Sequence, residues 1–326
     1  TEHTIRVVAY DEMDNSTLDE VSITVDNSTA VPNGGDVVSV DYNLEEMTVV
    51  WEPSTDSDFQ DYTVLHSATE DGDKETLATY TDIATTSHSI TEFDPLVENW
   101  FYVQVTDTLG LTTMGTGMTN SLDNAPNAVN VTSVTYDTES MTVTWEDYVP
   151  NLSRINQMNQ NTRNSITNDF VSYELLQSDS EDGTYTSVIV ITDQATTSHS
   201  LTEYDPTQEN WFKVKVTDYW NLTSTGTGMT NELETTPPTL SVLNPIVFED
   251  DSFIFTWSQN NDDDFKSYTL YESESEDMSN QIEIFYTEER TNSYYDLNVL
   301  CEQRPYYRVA VSDYWGLKSS SDIRRG

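Results

Sequence analysis

The sequence has a single cysteine, few basic residues and no long apolar run. One cysteine, Cys301, excludes an internal disulfide framework. With 13 Lys plus Arg against 58 Asp plus Glu, the formal net charge is -45, so the surface repels nucleic acid and anionic membranes. No stretch approaches the roughly 18 consecutive apolar residues of a membrane-spanning helix, and no membrane insertion is predicted.

The remaining composition predicts a folded chain. Hydrophobic residues make up 36% and aromatic residues 11%, which is enough to build several small cores despite the charge. The acidity has two interpretations. It is an adaptation to a salty, halophilic medium in which counterions screen self-repulsion, or it reflects carboxylates clustered to bind Ca²⁺. We favour the first, because acidic residues are spread along the whole chain.

Two sequence blocks occur twice at the same separation. Thr85–Pro95 returns as Thr196–Pro206, and Gly115–Asn120 returns as Gly226–Asn231, in both cases 111 residues later. This period is close to the length of one small domain, so it predicts tandem domains rather than a solenoid. A reaction centre rarely recurs in neighbouring copies, and the repeat therefore favours a scaffold or binding array over an enzyme.

Short alternating strands recur in three units. Each unit has an early strand that ends on Trp and a late strand with apolar residues at alternate positions that ends on Asp. The early strands are Met47–Trp51, Met141–Trp145 and Phe253–Trp257, and the late ones are Trp100–Asp107, Trp211–Asp218 and Tyr306–Asp313. No segment has a helical period. We predict an all-β tandem array of three sandwiches.

These residues resemble the fibronectin type III family in a prokaryotic extracellular surface protein. The resemblance rests on the Trp of strand B, a Tyr of strand C and the Asp-containing turn after strand F: Trp51, Trp145, Trp257, Tyr62, Tyr173, Tyr268, Asp107 and Asp313. It implies domains at 30–123, 124–234 and 235–326. In the family, a strand F tyrosine often hydrogen-bonds back to the backbone. Phe101 and Phe212 depart from this pattern, whereas Tyr307 keeps it.

Residues 1–29 are too short for a fourth complete unit. They resemble the last two strands of an immunoglobulin-like bacterial surface domain, joined as a β-hairpin. An isolated hairpin is marginal in water, so we expect it to pair with other β-structure. Two sources are open: strands of a preceding domain, if the chain is a processed or truncated piece, or a neighbouring copy that adds strands to form a fibre.

Acidic loops after two of the Trp residues are candidate Ca²⁺ sites, because Ca²⁺ prefers hard oxygen ligands. The residues are Asp56, Asp58 and Asp61 in the first unit and Asp262, Asp263 and Asp264 in the third. The alternative is that short acidic side chains cap a turn by accepting backbone N–H groups. No other cofactor is predicted.

Three further sets of residues are candidate contact sites. An amide-rich insertion in the second unit's B–C loop either docks an acidic neighbour or a glycan, through Asn151, Arg154, Asn156 and Arg163, or is a mobile surface loop. Trp220 and Trp315 are candidates for stacking on a sugar or for covering the sandwich end. Glycosylation sequons begin at Asn15, Asn27, Asn130, Asn151 and Asn221.

No nucleophile, histidine pair or metal-spaced motif points to catalysis, and we predict a protein that is not an enzyme. The preferred interpretation is an extracellular structural protein at the cell surface, part of a fibre, filament or stalk. Its expected partners are copies of itself or other surface proteins, and glycans are candidates. The alternatives are an adhesin or carbohydrate-binding array, or the accessory tail of a secreted hydrolase.

Overall fold

The computed structural model describes residues 2–24, 30–150, 169–298 and 304–326. Over these ranges the chain is all-β, as the sequence predicts, and forms an N-terminal hairpin and three sandwiches. One compact unit holds the hairpin and the first sandwich (Thr1–Ala125), and another holds the second and third sandwiches (Pro126–Val149 and Phe170–Gly326). The domain boundaries at residues 30, 124 and 235 stay predictions. None of the described residues belongs to a helix that could cross a membrane.

The hairpin consists of β1 (Glu2–Tyr10) and β2 (Ser16–Thr24), paired antiparallel over their full length. Its register places Ile5 opposite Val21, so that Ile5, Val7 and Ala9 share a face with Val21 and Ile23, whereas Val8, Tyr10 and Leu18 lie on the other face. Arg6 and Glu20 form an ion pair on the other face. Both faces are exposed within the described chain.

The first sandwich packs a three-stranded sheet on a four-stranded one. Its strands in chain order are A, β3 (Val37–Tyr42); B, β4 (Met47–Trp51); C, β5 (Phe59–Ser67); C′, β6 (Glu75–Tyr80); E, β7 (Ser87–Ile90); F, β8 (Trp100–Asp107); and G, split into β9 (Thr112–Met114) and β10 (Met118–Thr119). The sheet orders are A-B-E and C′-C-F-G. The fourth strand pairs with C rather than with E, which is the type III arrangement.

The second and third sandwiches repeat this order of strands. In the second, A to G are β11 (Val131–Tyr136), β12 (Met141–Trp145), β13 (Phe170–Ser178), β14 (Thr186–Ile191), β15 (Ser198–Leu201), β16 (Trp211–Asp218), and β17 (Thr223–Thr225) with β18 (Met229–Thr230). In the third they are β19 (Val247–Glu249), β20 (Ser252–Thr256), β21 (Phe265–Ser273), β22 (Ile282–Thr287), β23 (Tyr294–Asn298), β24 (Tyr306–Asp313), and β25 (Lys318–Ser320) with β26 (Arg324–Arg325).

Alternation along strands B and F builds each core. In the first sandwich Met47, Val49 and Trp51 point inward from β4, and Val103 and Val105 face them from β8, all of them buried. The same positions are buried in the other two sandwiches. Large side chains at every second position therefore fix which face of each strand turns inward.

A buried tyrosine on strand C ties two loops together in every sandwich. The hydroxyl of Tyr62 accepts the N–H of Ser54 (2.6 Å) in the B–C loop and donates to the carbonyl of Ile83 (3.2 Å) in the C′–E loop. Tyr173 bridges Tyr148 and Gln194 in the same way, and Tyr268 bridges Asn260 and Arg290. All three tyrosines are fully buried.

An aspartate closes each F–G turn. Its Oδ1 accepts the N–H groups of the second and fourth residues after it, and the third residue has a positive φ. The sets are Asp107 with Leu109, Leu111 and Gly110 (φ 80°), Asp218 with Trp220, Leu222 and Asn221 (φ 62°), and Asp313 with Trp315, Leu317 and Gly316 (φ 93°). Glycine or asparagine stands at the third place in these three turns, and both adopt this conformation more readily than most residues.

The resemblance is wrong about the hydroxyl of Tyr307. This hydroxyl donates to Oε2 of Glu272, its cross-strand neighbour on β21, at 2.9 Å, and not to the backbone. Burial and the nearby Glu272 raise the pKa of Tyr307 far above its usual range. The phenylalanines at this position in the first two sandwiches have no hydroxyl to place.

We expect Tyr268→Phe to destabilise the third sandwich by about 1–3 kcal/mol, because the Asn260 N–H and the Arg290 carbonyl lose a buried partner. Tyr286→Phe is the matched control, since its hydroxyl contacts Glu288 at the surface, and its effect should stay within about 0.5 kcal/mol. Urea unfolding measures both. Equal losses in the two variants would contradict a structural role for the buried hydroxyl.

Candidate functional site

The acidic B–C loops hold the start of their own sandwiches. Asp262 accepts the N–H and hydroxyl of Thr239 (2.5 and 2.9 Å) and the side-chain amide of Asn260 (2.9 Å). Asp56 accepts the N–H of Asn33 (3.0 Å) and the hydroxyl of Ser54 (2.9 Å). Both aspartates accept a backbone N–H, as in the capping alternative, but from a residue 23 positions earlier rather than from their own turn.

The other four predicted calcium residues are less engaged. Asp61 contacts the side chains of its neighbours Gln60 and Thr63. Oδ2 of Asp58 is buried without a hydrogen-bond partner, whereas Asp263 is exposed. Across the described ranges, no three acidic, histidine or cysteine side chains are arranged to hold a metal. The calcium site stays a prediction, and melting curves in CaCl₂ and in NaCl of equal ionic strength would test it.

An acidic cleft of about 460 Å³ lies between the second and third sandwiches. Its lining comes from the A–B turn of the second sandwich, the linker, and the B–C and F–G loops of the third. The residues are Asp137, Thr138, Glu234, Thr236, Pro237, Pro238, Thr239, Asp262, Asp263, Asp264 and Trp315. Five of these carry carboxylates, so the cleft is strongly negative.

One wall of the cleft is an aromatic joint made of Tyr136, Tyr204, Glu234 and Trp315. The ring of Trp315 meets Tyr136 edge-on, with centroids 5.6 Å apart. The Tyr136 hydroxyl donates to Oε2 of Glu234 at 3.4 Å. The hydroxyl of Tyr204 donates to the carbonyl of Asp137, and burial raises the pKa of Tyr204 while the nearby Trp315 indole opposes the rise. Side chains of both sandwiches therefore meet in this joint.

Burial, and after it the charges of neighbouring carboxylates, raise the pKa values of acidic groups at the cleft. Burial, followed by the charge and hydrogen bond of Glu234, raises the pKa of Tyr136 to about 12. Burial raises the pKa of Asp264, and the charges of Asp313, Asp262 and Glu234 raise it further. Burial also raises the pKa of Asp313, against the lowering effect of the N–H groups in its turn. Each shift reports a negative charge that the folded state disfavours.

The structure gives the two predicted stacking residues different settings. Trp315 is half-buried in the aromatic joint, which is closer to the covering role than to a free sugar platform. Trp220 is also half-buried, and its ring lies edge-on to Tyr219 at 5.1 Å. Sequence reasoning missed Tyr136 and Glu234. The signal was available, because a tyrosine ends strand A in both of the first two sandwiches, as Tyr42 and Tyr136.

The insertion residues lie outside the described part of the chain, namely Asn151, Arg154, Asn156 and Arg163. Cys301 and the sequon asparagine Asn27 lie outside it as well. Of the remaining sequons, Asn15 and Asn221 are exposed. Asn130 is half-buried, donates to Glu146 at 2.8 Å and accepts the N–H of Thr227 at 2.8 Å, so a glycan there would break both contacts.

No protein-family model matches this sequence, and no curated protein matches it either. Among solved structures, the crystal structure of the FN1–FN3 domains of chicken CNTN1 is similar at 14% identity, covering 91% of this chain and 97% of that chain with a TM-score of 0.25. A superposition this loose carries no information about function. The strand order and the repeated contacts show that the chain carries tandem type III-like, Ig-like sandwiches.

We expect Asp264→Asn to raise the melting temperature at pH 7. The free energy of unfolding should rise by no more than about 1 kcal/mol, because water screens a half-buried carboxylate. The raised pKa of Asp264 means that the folded state takes up a proton before the unfolded state does. The wild type therefore gains stability as the pH falls through the folded pKa towards 3.8, and the advantage of the variant should shrink there. Added NaCl should shrink it too.

Asp263→Asn is the control, because Asp263 is exposed in the same loop. Differential scanning calorimetry at pH 7 and pH 4, at low and high salt, separates the two variants. An Asp264→Asn gain that grows as the pH falls would show that repulsion in the cleft is not its cause.

Proposed function

We propose that this chain is a non-enzymatic structural segment of an extracellular or cell-surface protein, in which tandem sandwiches form part of a fibre, filament or stalk. The observation that carries the proposal is the aromatic joint. Neighbouring domains need a specific contact between them only where their relative position matters, as it does in a rod, whereas freely linked binding modules do without one.

The use of polar groups inside each sandwich supports the same function. The strand C tyrosines and the F–G aspartates, which are the most buried polar groups of the repeat, hold loops of their own domain. These tyrosines and aspartates recur in all three sandwiches, and their partners stand at equivalent positions of the loops. Many cell-surface domains share this sandwich architecture. We take copies of the same protein, or other surface proteins, as the partners.

An adhesin or carbohydrate-binding array is the second candidate. Its strongest support is the acidic cleft, which is open to solvent and has Trp315 in its wall. The ring of Trp315 is half-buried and already packs edge-on against Tyr136, which leaves less of the ring for stacking on a sugar. The structural proposal therefore explains Trp315 with fewer assumptions.

Immunogold labelling with antibodies raised against the purified chain tests the proposed location and assembly on cells that produce the protein. We expect gold on extracellular fibres, sheaths or stalks of unpermeabilised cells. Pre-immune serum is the control. Label found only after permeabilisation would contradict an extracellular structural role.

We expect Trp315→Ala to loosen the second sandwich from the third, because it removes the ring contact with Tyr136. Small-angle X-ray scattering should then give a broader distance distribution with unchanged strand content by circular dichroism. Tyr294→Ala is the matched control, since this ring is half exposed on β23 of the same sandwich. Identical scattering from wild type and Trp315→Ala would remove the main support for the proposed structural function.

A further inference from the structure

The turn of the N-terminal hairpin has the hydrogen bonds of the three F–G turns. Oδ1 of Asp11 accepts the N–H groups of Met13 and Asn15, both at 2.9 Å, which are the second and fourth residues after it. The third residue, Asp14, has a positive φ of 59°. The backbone N–H of Asp11 donates to the carbonyl of Asn15, as the N–H of Asp107 donates to Leu111.

The side chains of β1 follow the pattern of strand F. Ile5, Val7 and Ala9 stand six, four and two residues before Asp11, in the positions that Phe101, Val103 and Val105 hold before Asp107. In the first sandwich those three residues are at most 2% exposed, and they form the inner surface of the sheet. In the hairpin, Ile5 and Val7 are 51% and 62% exposed.

Strand β2 completes this apolar face. Its register brings Val21 and Ile23 to the same side as Ile5, and they are 55% and 42% exposed. The opposite side carries the Arg6–Glu20 ion pair together with Val8, Tyr10 and Leu18. The outer side of strand F in the first sandwich likewise mixes polar residues with Trp100 and Tyr102. Asp19, opposite Val7, is an acidic residue on the side of Ile5.

The position of the hairpin in the chain agrees with the repeat. Asp11 and Asp107 are 96 residues apart, and Asp218 and Asp313 are 95 apart. The hairpin thus stands one repeat ahead of the first F–G turn. The hairpin differs from the F–G pair of the first sandwich in one feature. Strand β2 runs unbroken over nine residues, whereas strand G of the first sandwich is split into β9 and β10.

We propose that β1 and β2 are strands F and G of a fourth sandwich, whose strands A, B, C, C′ and E come from the same polypeptide ahead of β1. The A-B-E sheet packs on the face formed by Ile5, Val7, Ala9, Val21 and Ile23. Strand C pairs with the free edge of β1. A second copy of the chain is a poor occupant, since each of its three sandwiches already has its own strands F and G.

A fusion within the full chain tests this assignment. Residues 30–99, which supply strands A to E and the E–F loop of the first sandwich, are placed directly ahead of Thr4, so that Thr4 takes the position of Trp100. Hydrogen exchange is then measured by mass spectrometry on the 4–24 segment. We expect its amides to exchange at least about 100-fold more slowly than in the unfused chain, because they become part of a cooperative domain.

Two variants of the fusion separate the faces of β1. Val7→Asp should abolish the protection, because Val7 takes the place of Val103 in the core. Val8→Asp is the matched control and should retain it, because Val8 takes the place of Gln104 on the outer side. Protection that responds equally to both variants would overturn the proposal.

A second fusion guards against poor packing of the hybrid core. It carries Ile5→Phe and Ala9→Val, which restore the side chains of Phe101 and Val105. Lack of protection in both fusions overturns the assignment. Protection of the 4–24 segment in the unfused chain, together with a dimer by light scattering, also overturns it, because a second copy would then cover this face.

Discussion

The buried hydroxyl of the strand C tyrosine is the contact on which one end of every sandwich depends. Tyr62, Tyr173 and Tyr268 each accept an N–H from the B–C loop and donate to a carbonyl of the C′–E loop. Each of these loops crosses between the two sheets, so the hydroxyl ties two crossings together through backbone groups of the loops. The loops can then differ in length and sequence between copies while the sandwich stays the same.

The neighbouring tryptophans show why packing outweighs polarity in this core. The indole N–H groups of Trp51, Trp145 and Trp257 are buried without a hydrogen-bond partner in the described chain. Such a group costs about 1–3 kcal/mol. Burying the 150–250 Å² of an aromatic ring returns about 4–6 kcal/mol, and each indole also packs on the strand C tyrosine at 5.7–5.8 Å. The ring is therefore retained although its N–H stays unpaired.

The sequence was sufficient for the architecture because strands are set by local alternation. Met47 to Trp51 and the late strands have one inner face whatever surrounds them, and the 111-residue repeat reveals the copies. The tyrosine that ends strand A in two units was visible in the sequence, but its pairing with Trp315 was beyond reach. Tyr136 and Trp315 are 179 residues apart and meet only through the packing of two domains. The same holds for the role of Asp262, whose partner Thr239 lies across the sandwich end. Composition alone cannot separate a turn-capping aspartate from a metal ligand.

The corner between strands E and F shows that the family resemblance holds for the fold and fails for single contacts. In the first two sandwiches a phenylalanine on strand F accompanies a buried asparagine after strand G. Asn120 accepts the N–H of Asn99 at 2.8 Å, and Asn231 accepts that of Asn210 at 2.8 Å. The third sandwich has Tyr307 and Gly326 at the two positions.

The residue on strand F and the residue after strand G both differ in the third sandwich, and the two side chains compete for the same space. A Cβ on Gly326 would lie 3.0 Å from the ring of Tyr307 and 3.0 Å from that of Phe253, so an asparagine there would push against the third sandwich's aromatic cluster. The N–H of Gly326 instead donates to the carbonyl of Pro305 at 2.9 Å, which ties the end of the chain to the same corner through the backbone alone. Replacing Phe101 by tyrosine would therefore not recreate the third corner in the first sandwich, because Asn120 already supplies the contact and occupies the space.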